Sequence, residues 1–155
     1  MTIQEKLSEL GLTLPTVSKP GGNYVSVNIR GNIAYIAIQF PKNGDEWLFK
    51  GKLGSELTTE DGYKAMQLCA LNVLAHIDKS IGMERLVGIN HMDGFYQATA
   101  DWDDAPTIVN GASDLFVNVL GEKGRHSRSI FGVERLARNF AVGITCSLTI
   151  IPEKE

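Results

Sequence analysis

A chain of 155 residues with 43% apolar and 21% charged side chains is long enough to bury one core and too short for two. Its 15 basic and 18 acidic residues leave a net charge of −3, which excludes a chain-wide attraction to nucleic acid and leaves polyanions only local patches. Two cysteines, Cys69 and Cys146, stand in apolar runs and read as reduced and buried, and no apolar stretch reaches the length of a membrane span. With no apolar leader behind "MTIQEKLSEL", the expectation is a cytoplasmic protein with no membrane contact.

In chain order, Ile3, Leu7 and Leu10 recur at helical spacing behind Thr2 and stop at Gly11, predicting a short N-terminal helix. "LPTVSKPGG" reads as loop. "NYVSVNIRGNIAYIAIQFP" holds two strands turning at Gly31-Asn32, and a short third strand is expected around Trp47 to Phe49. Thr58 with Asp61 three residues on marks the start of a long helix, in a weak form of the capping box. Its apolar stripe runs through Tyr63, Met66, Ala70, Val73, Leu74, Ile77 and Ile81 to a stop at Gly82. "RLVGINHMDGFYQAT" alternates as a long, bent strand. A second helix starts at Asp103 or Asp104, carries Pro106 in its first turn and faces Ile108, Val109, Ala112, Phe116, Val119 and Leu120 inward. "SRSIFGVERL" and "NFAVGITCSLTII" finish as two strands around a short turn. The order predicts an α+β fold: one domain over 1–155, with a mixed sheet and two long helices on one of its faces. Strands such as "IAYIAI" and "AVGITCSL" offer apolar residues to both sheet faces, so the uncovered face calls for a second copy of the chain.

The residues rule out several chemistries before they suggest one. His76, His91 and His126 lie far apart and the cysteines form no CxxC, so no metal site is expected; phosphate-loop, dinucleotide and nucleophile-elbow motifs are absent. "GEKGRHSRSIFGV" gathers Lys123, Arg125, His126 and Arg128 where a helix gives way to a strand. Lys123 and Arg125 suit a helix C-terminus. Arg128 falls near the start of the strand, where its guanidinium either grips a carboxylate bidentately or closes a structural salt bridge. The patch is short and has no interleaved aromatics, which argues against nucleic acid.

From "LSELGLTLP" through "NYVSVNIRGN", "AYIAIQFP", "GKLG", "AMQLCALNVLAHI" and above all "VNGASDLFVNVLGEKGRHSRSIFGVERL", the chain resembles the RidA family, also called YjgF/YER057c/UK114 or endoribonuclease L-PSP, in its longer subgroup. The resemblance implies a chorismate-mutase-like fold assembled as a homotrimer with ligand clefts between subunits. It also implies hydrolysis of small enamines and imines to 2-keto acids and ammonia, without a cofactor. On its motifs Arg128 binds the substrate carboxylate, Tyr24 and Asn110 line the cleft, and Ala37, Ile38 and Gln39 stand where the family reads Ser-Gly-Gln. Ser129 and His126 are further cleft candidates beside Arg128. Two departures stand out. Ile38 replaces the glycine, and the last strand has Thr145 where a glutamate positions the hydrolytic water and Gly143 where another glutamate is common. Asp93 and Glu134 are the carboxylates available from elsewhere in the chain. The leading expectation is therefore an imine deaminase using Arg128 and Thr145. The alternative is a small-carboxylate-binding trimer without a base, and a ribonuclease ranks last.

Overall fold

The computed structural model describes residues 1–153. Its elements are α1 (Ile3–Glu9), β1 (Val27–Arg30), β2 (Ile33–Gln39), β3 (Lys42–Asn43), β4 (Glu46–Trp47), α2 (Thr59–Ser80), β5 (Leu86–Tyr96), α3 (Ala105–Leu120), β6 (Ser127–Gly132) and β7 (Val142–Ile150). Five strands form one mixed sheet in the order β1-β2-β7-β5-β6, antiparallel except for the parallel pair β5·β6. The long helices α2 and α3 pack on one face of it, as the pattern of elements predicts.

Local chemistry explains most boundaries. The β1–β2 hairpin turns through Gly31, whose φ of 63° suits glycine. The Asp61 capping box forms in full: Asp61 N–H donates to Thr58 Oγ1 (3.1 Å) and Thr58 N–H to Asp61 Oδ2 (2.9 Å). Asp104 is the residue before α3 but makes no side-chain cap, and Pro106 occupies the first turn.

One expectation changes, and the last two strands, which form on either side of a turn as expected, take neighbours that the sequence left open. The strand near Trp47 is only β4, paired with β3 in a separate two-stranded ribbon; Phe49, with φ 53°, ends it by turning left-handed. The last two strands do not pair with each other. β6 lies parallel to β5 at the sheet edge, whereas β7 passes between β2 and β5, after a turn at Ala137–Asn139 in which Arg138 and Asn139 take φ values of 57° and 61°.

The expectation of apolar residues on both faces holds on β2, where Ile33 and Tyr35 lie on the helix-free side opposite Thr149 and Ser147, but not on β7. Ile144, Cys146, Leu148 and Ile150 point into the core, while Thr145, Ser147 and Thr149 are half-buried on the helix-free face. Period-2 alternation makes the outer side of this central strand a row of hydroxyls. Register carries the polarity sideways: Ser147 sits opposite His91, and His91 opposite Ser127; Thr145 sits opposite Asp93, and Asp93 opposite Ser129.

On the other face the helices approach at backbone distance. A Cβ on Gly111 would run into the Tyr63 backbone, and one on Gly62 would meet Ile108 Cγ2 at 2.7 Å. Around that crossing Met66, Leu74, Ile108, Leu115 and Phe116 are fully buried against β5 and β7. Across it the Tyr63 hydroxyl donates to Asp114 Oδ2 at 2.7 Å. That hydrogen bond, with partial burial and the negative charge of Asp114, pushes the phenol up to about 12.

Overpacking predicts that Gly111→Ala loses about 1–3 kcal/mol of unfolding free energy. Gly21→Ala, where a Cβ meets nothing within 4 Å, is expected to stay within about 0.5 kcal/mol; denaturant titration compares the two. Because Tyr63 is raised, its contribution to stability is complete below the ordinary tyrosine value and is lost as pH climbs towards 12. Asp114→Asn should return its ultraviolet titration towards the ordinary range.

Candidate functional site

Arg128 lies on the helix side of the edge strand β6 and is only partly exposed. Its Nη1 donates to Asn110 Oδ1 (2.8 Å) and Ser113 Oγ (3.1 Å), both on α3, and Nη2 reaches the Pro106 carbonyl at 3.5 Å. His126 fixes the far side of Ser113. Its Nδ1 stands 2.6 Å from the Gly124 carbonyl, which can only accept, so in the neutral ring Nε2 accepts from Ser113 Oγ at 2.9 Å. The Ser113 oxygen thereby turns its lone pairs to the guanidinium. No carboxylate pairs with Arg128 among the described residues, so its structural contacts within the chain are hydrogen bonds to neutral oxygens rather than a salt bridge. A cation aligned by neutral oxygens keeps its charge for something else.

The expected residues fall into three groups. Arg128 and Asn110 meet at the β6 edge. Thr145 and Ser129 lie on the opposite face, in one row with Asp93 between them. There Thr145 Oγ1 donates to Asp93 Oδ2 at 3.3 Å, His91 Nε2 lies 3.0 Å from Asp93 Oδ1, and His91 Nδ1 lies 2.7 Å from Ser127 Oγ. Tyr24, Ile38 and Gln39 form the third group, at the other end of the sheet. They line a pocket of about 230 Å³ with Phe40, Lys42 and Arg138. Glu134 is apart from all three groups, in an open cleft with Lys52, Gln97 and Arg135.

Sequence reasoning left Asp93 and His91 without a place. The offset that links them to Thr145 and Ser127 is a strand register across β5, β6 and β7, and residues so far apart in the chain carry no local sign of it. Ser113, fifteen residues before Arg128, was readable only as a residue of the second long helix.

Two of the departures that the resemblance implies, Ile38 and Gly143, meet in space. A Cβ built on Gly143 would stand 3.0 Å from Ile38 Cδ1 and 3.1 Å from Phe40 Cε1. The isoleucine where the family has glycine therefore fills the room that a side chain at position 143 would need. Two positions that look independent in sequence share one volume between β2 and β7. Among the described residues no group of three or more His, Cys, Asp or Glu is placed to hold a metal ion, and no helix is long and apolar enough to cross a membrane.

Comparison with known proteins agrees with this architecture. A family model described as "YjgF/chorismate_mutase-like, putative endoribonuclease" matches residues 4–145. Protein TCP17 of Trypanosoma cruzi is 33% identical over 144 residues, covering 92% of this chain and 90% of that protein. A crystal structure of a protein with unknown function from Agrobacterium tumefaciens superposes with a TM-score of 0.90 at 32% identity, over 96% of this chain and 92% of its own. Another, a "putative endoribonuclease" from Shewanella oneidensis, gives 0.92 at 31% identity, over 96% and 99%.

The shared volume predicts strong coupling. Gly143→Glu alone should destabilise the fold by about 1–3 kcal/mol, and Ile38→Gly in the same chain should recover much of that loss. A double-mutant cycle by chemical denaturation checks it: additive effects would mean that the two positions do not share the space.

Proposed function

We propose, for a chain that belongs to the YjgF/chorismate mutase-like family, that it binds the carboxylate of a small 2-imino acid on Arg128 and hydrolyses the imine to a 2-keto acid and ammonia. The observation that carries the reading is the guanidinium itself. It is held by Asn110 and Ser113 with neutral oxygens and has no acidic partner among the described residues. An arginine so oriented offers a fork to an incoming carboxylate, and holding that fork in place lowers the entropy lost on binding.

Division of the expected residues between opposite sheet edges supports a site completed by a second copy of the chain. One copy supplies Arg128 and Asn110, its neighbour supplies Tyr24, Ile38 and Gln39, and a closed homotrimer satisfies every edge equally. Tyr24 is 54% exposed in the single chain, with its ring standing over the pocket rather than in the core.

Hydrolysis adds water across the C=N bond. The water oxygen attacks the carbon while one of its protons passes through a base to the imine nitrogen, giving a carbinolamine; the hydroxyl proton then follows to nitrogen as the C–N bond breaks, the C=O bond forms and ammonia leaves. Thr145 cannot be that base, but it hydrogen-bonds Asp93, which can. In this reading Asp93 supplies the carboxylate absent from β7, Thr145 orients the water, and His91 holds the other Asp93 oxygen. Neither a metal nor an organic cofactor enters these steps.

A second reading has an observation of its own. Within one chain Asp93 and Thr145 face away from the Arg128 guanidinium, so a site that binds acids without catalysis follows if assembly does not bring a base to the bound carbon. Ammonia release from freshly generated 2-aminoacrylate separates the two. Deaminase action predicts that Arg128→Ala lowers kcat/KM by about 10²-fold, and that Asp93→Asn lowers kcat by about 10²-fold or more with little change in KM. No acceleration by the wild type, alongside 2-oxobutyrate binding that Arg128→Ala abolishes, would leave the binding protein as the function.

A further inference from the structure

We propose that the pocket beside Tyr24 is a binding site for a second anionic group, so that the acid taken by this protein is a dianion such as a 2-imino or 2-oxo dicarboxylate. The joint occupancy rests on the reading of Arg128 as anchor of the first carboxylate. The anion site itself rests on the pocket.

Lys19, Lys42 and Arg138 all line this pocket, and no carboxylate lines it among the described residues. None of the three cations is in an ion pair among those residues. Asp45 lies outside, along an adjoining cleft with Lys19 and Lys42. Tyr24 adds a further donor: its oxygen accepts from Gly21 N–H at 3.1 Å, which leaves the phenolic proton to give. The wall is aromatic. Phe40 and Phe140 stack at 4.9 Å, and Trp47 leans on Phe140 at 5.7 Å. Apolar walls lower the local dielectric, and charge-assisted hydrogen bonds strengthen there. A volume of about 230 Å³ suits the end of a small molecule.

The scaffold of the pocket is costly, which separates it from a chance gathering of surface lysines. The buried polar or charged side chains of the described residues are Gln39, Asn72, His76 and Gln97, and three of these four serve the pocket. Gln39 lines it and folds back on the Ala37 carbonyl at 3.0 Å. Asn72, on α2, donates to the Phe40 and Lys42 carbonyls at 3.3 and 2.8 Å and so holds the segment that carries Lys42. Gln97 donates to Asn139 Oδ1 at 2.9 Å and accepts from Leu136 N–H at 2.7 Å, pinning the turn that carries Arg138. Arg138 is held there at φ 57°, with its guanidinium 5.6 Å from the Trp47 ring. A left-handed arginine is strained, and such strain persists where the surroundings over-determine it. The two segments that carry Lys42 and Arg138 are thus each tied to the interior by a buried amide.

Calorimetric titration of the full-length protein with 2-oxobutyrate and 2-oxoglutarate, stable relatives of the two imine classes, tests the inference. The wild type should bind 2-oxoglutarate about tenfold or more tightly than 2-oxobutyrate. Arg138→Gly, which relieves the left-handed backbone, and Lys42→Met should each remove that preference and leave 2-oxobutyrate unchanged, with circular dichroism confirming the fold. Arg128→Ala should weaken both acids. Equal affinities in the wild type, or a preference that survives both pocket variants, would overturn the second anion site; loss of both acids in Arg128→Ala would then still uphold the proposed function. A preference for 2-oxoglutarate that outlives Arg128→Ala but not Arg138→Gly would uphold the pocket and remove Arg128 as anchor. Binding of neither acid would end both.

Discussion

The close contact of α2 and α3 at Gly111 governs everything built on the helix side of the sheet. With no Cβ at that position the α3 backbone rests on the Tyr63 backbone, and Gly62 admits Ile108 from the other direction. Contact at this range sets the rotation of α3 about its axis as well as its height above the sheet, because a turn of one residue would drive a side chain into α2. Asn110 precedes the contact glycine and Ser113 follows it by two. Their orientation towards β6 is therefore a result of core packing, and Arg128 meets two oxygens already in place. The second glycine of this region, Gly124, lets the chain pass against the α3 backbone at Phe116 on its way into β6, which brings His126 to Ser113.

A second constraint divides the chemistry. In a strand, neighbours point to opposite faces, so Arg128 and Ser129 cannot serve the same side of the sheet. Arg128 joins the helix side, whereas Ser129 joins the band of Asp93, Thr145, His91 and Ser127 on the other. That band lies across the three strands β7, β5 and β6, flanked towards the strand ends by the stacked rings of Phe95 and Phe131 at 5.5 Å. A sheet face with a polar middle and aromatic margin is not one that must be hidden at any cost. The side chains of Asp93, Thr145, His91 and Ser127 already hydrogen-bond within the chain, so covering them would bury satisfied groups rather than orphaned ones.

How much of this was legible depends on how far apart in sequence the cause lies. Helix α2 announces itself through Thr58 and Asp61 because capping acts over three residues. The β1–β2 hairpin does so through Gly31. Strand order is another matter. Nothing local to "NFAVGITCSLTII" says that it enters between β2 and β5, since the decision is made by hydrogen bonds to strands about fifty and a hundred residues earlier. The Asp93–Thr145 pair follows from that insertion and was hidden with it. Arg128 was legible as a cation near a strand start; that its partners are neutral was not, because Asn110 and Ser113 reach it only through the phase of α3. Motif resemblance supplied the candidates, and packing decided which of them meet.

Ile38 and Gly143 show why a departure from a family pattern is better read in space than along the chain. Taken singly, an isoleucine in place of glycine narrows a pocket and a glycine in place of glutamate empties one. Together they lie against each other across β2 and β7, with the Ile38 side chain over the Gly143 backbone. Side chains at the two positions compete for one space, and here that space holds hydrocarbon rather than the carboxylate that the resemblance implies. Its electrostatic consequence runs in one direction. A glutamate near Lys42 and Arg138 would satisfy those cations from within the protein and repel an anion arriving from outside. Apolar replacement leaves them unsatisfied, beside Ile38 and Phe40, where a partner charge is most strongly attracted. The same logic applies at the far edge of the sheet, where Arg128 is held by an amide and a hydroxyl rather than by an acid. Both ends of the sheet thus hold positive charge in place without neutralising it, and the chain that carries them is acidic overall. A small net negative charge gives anions in general no attraction, so binding at the two cationic points depends on a ligand small enough to enter and charged enough to be drawn in.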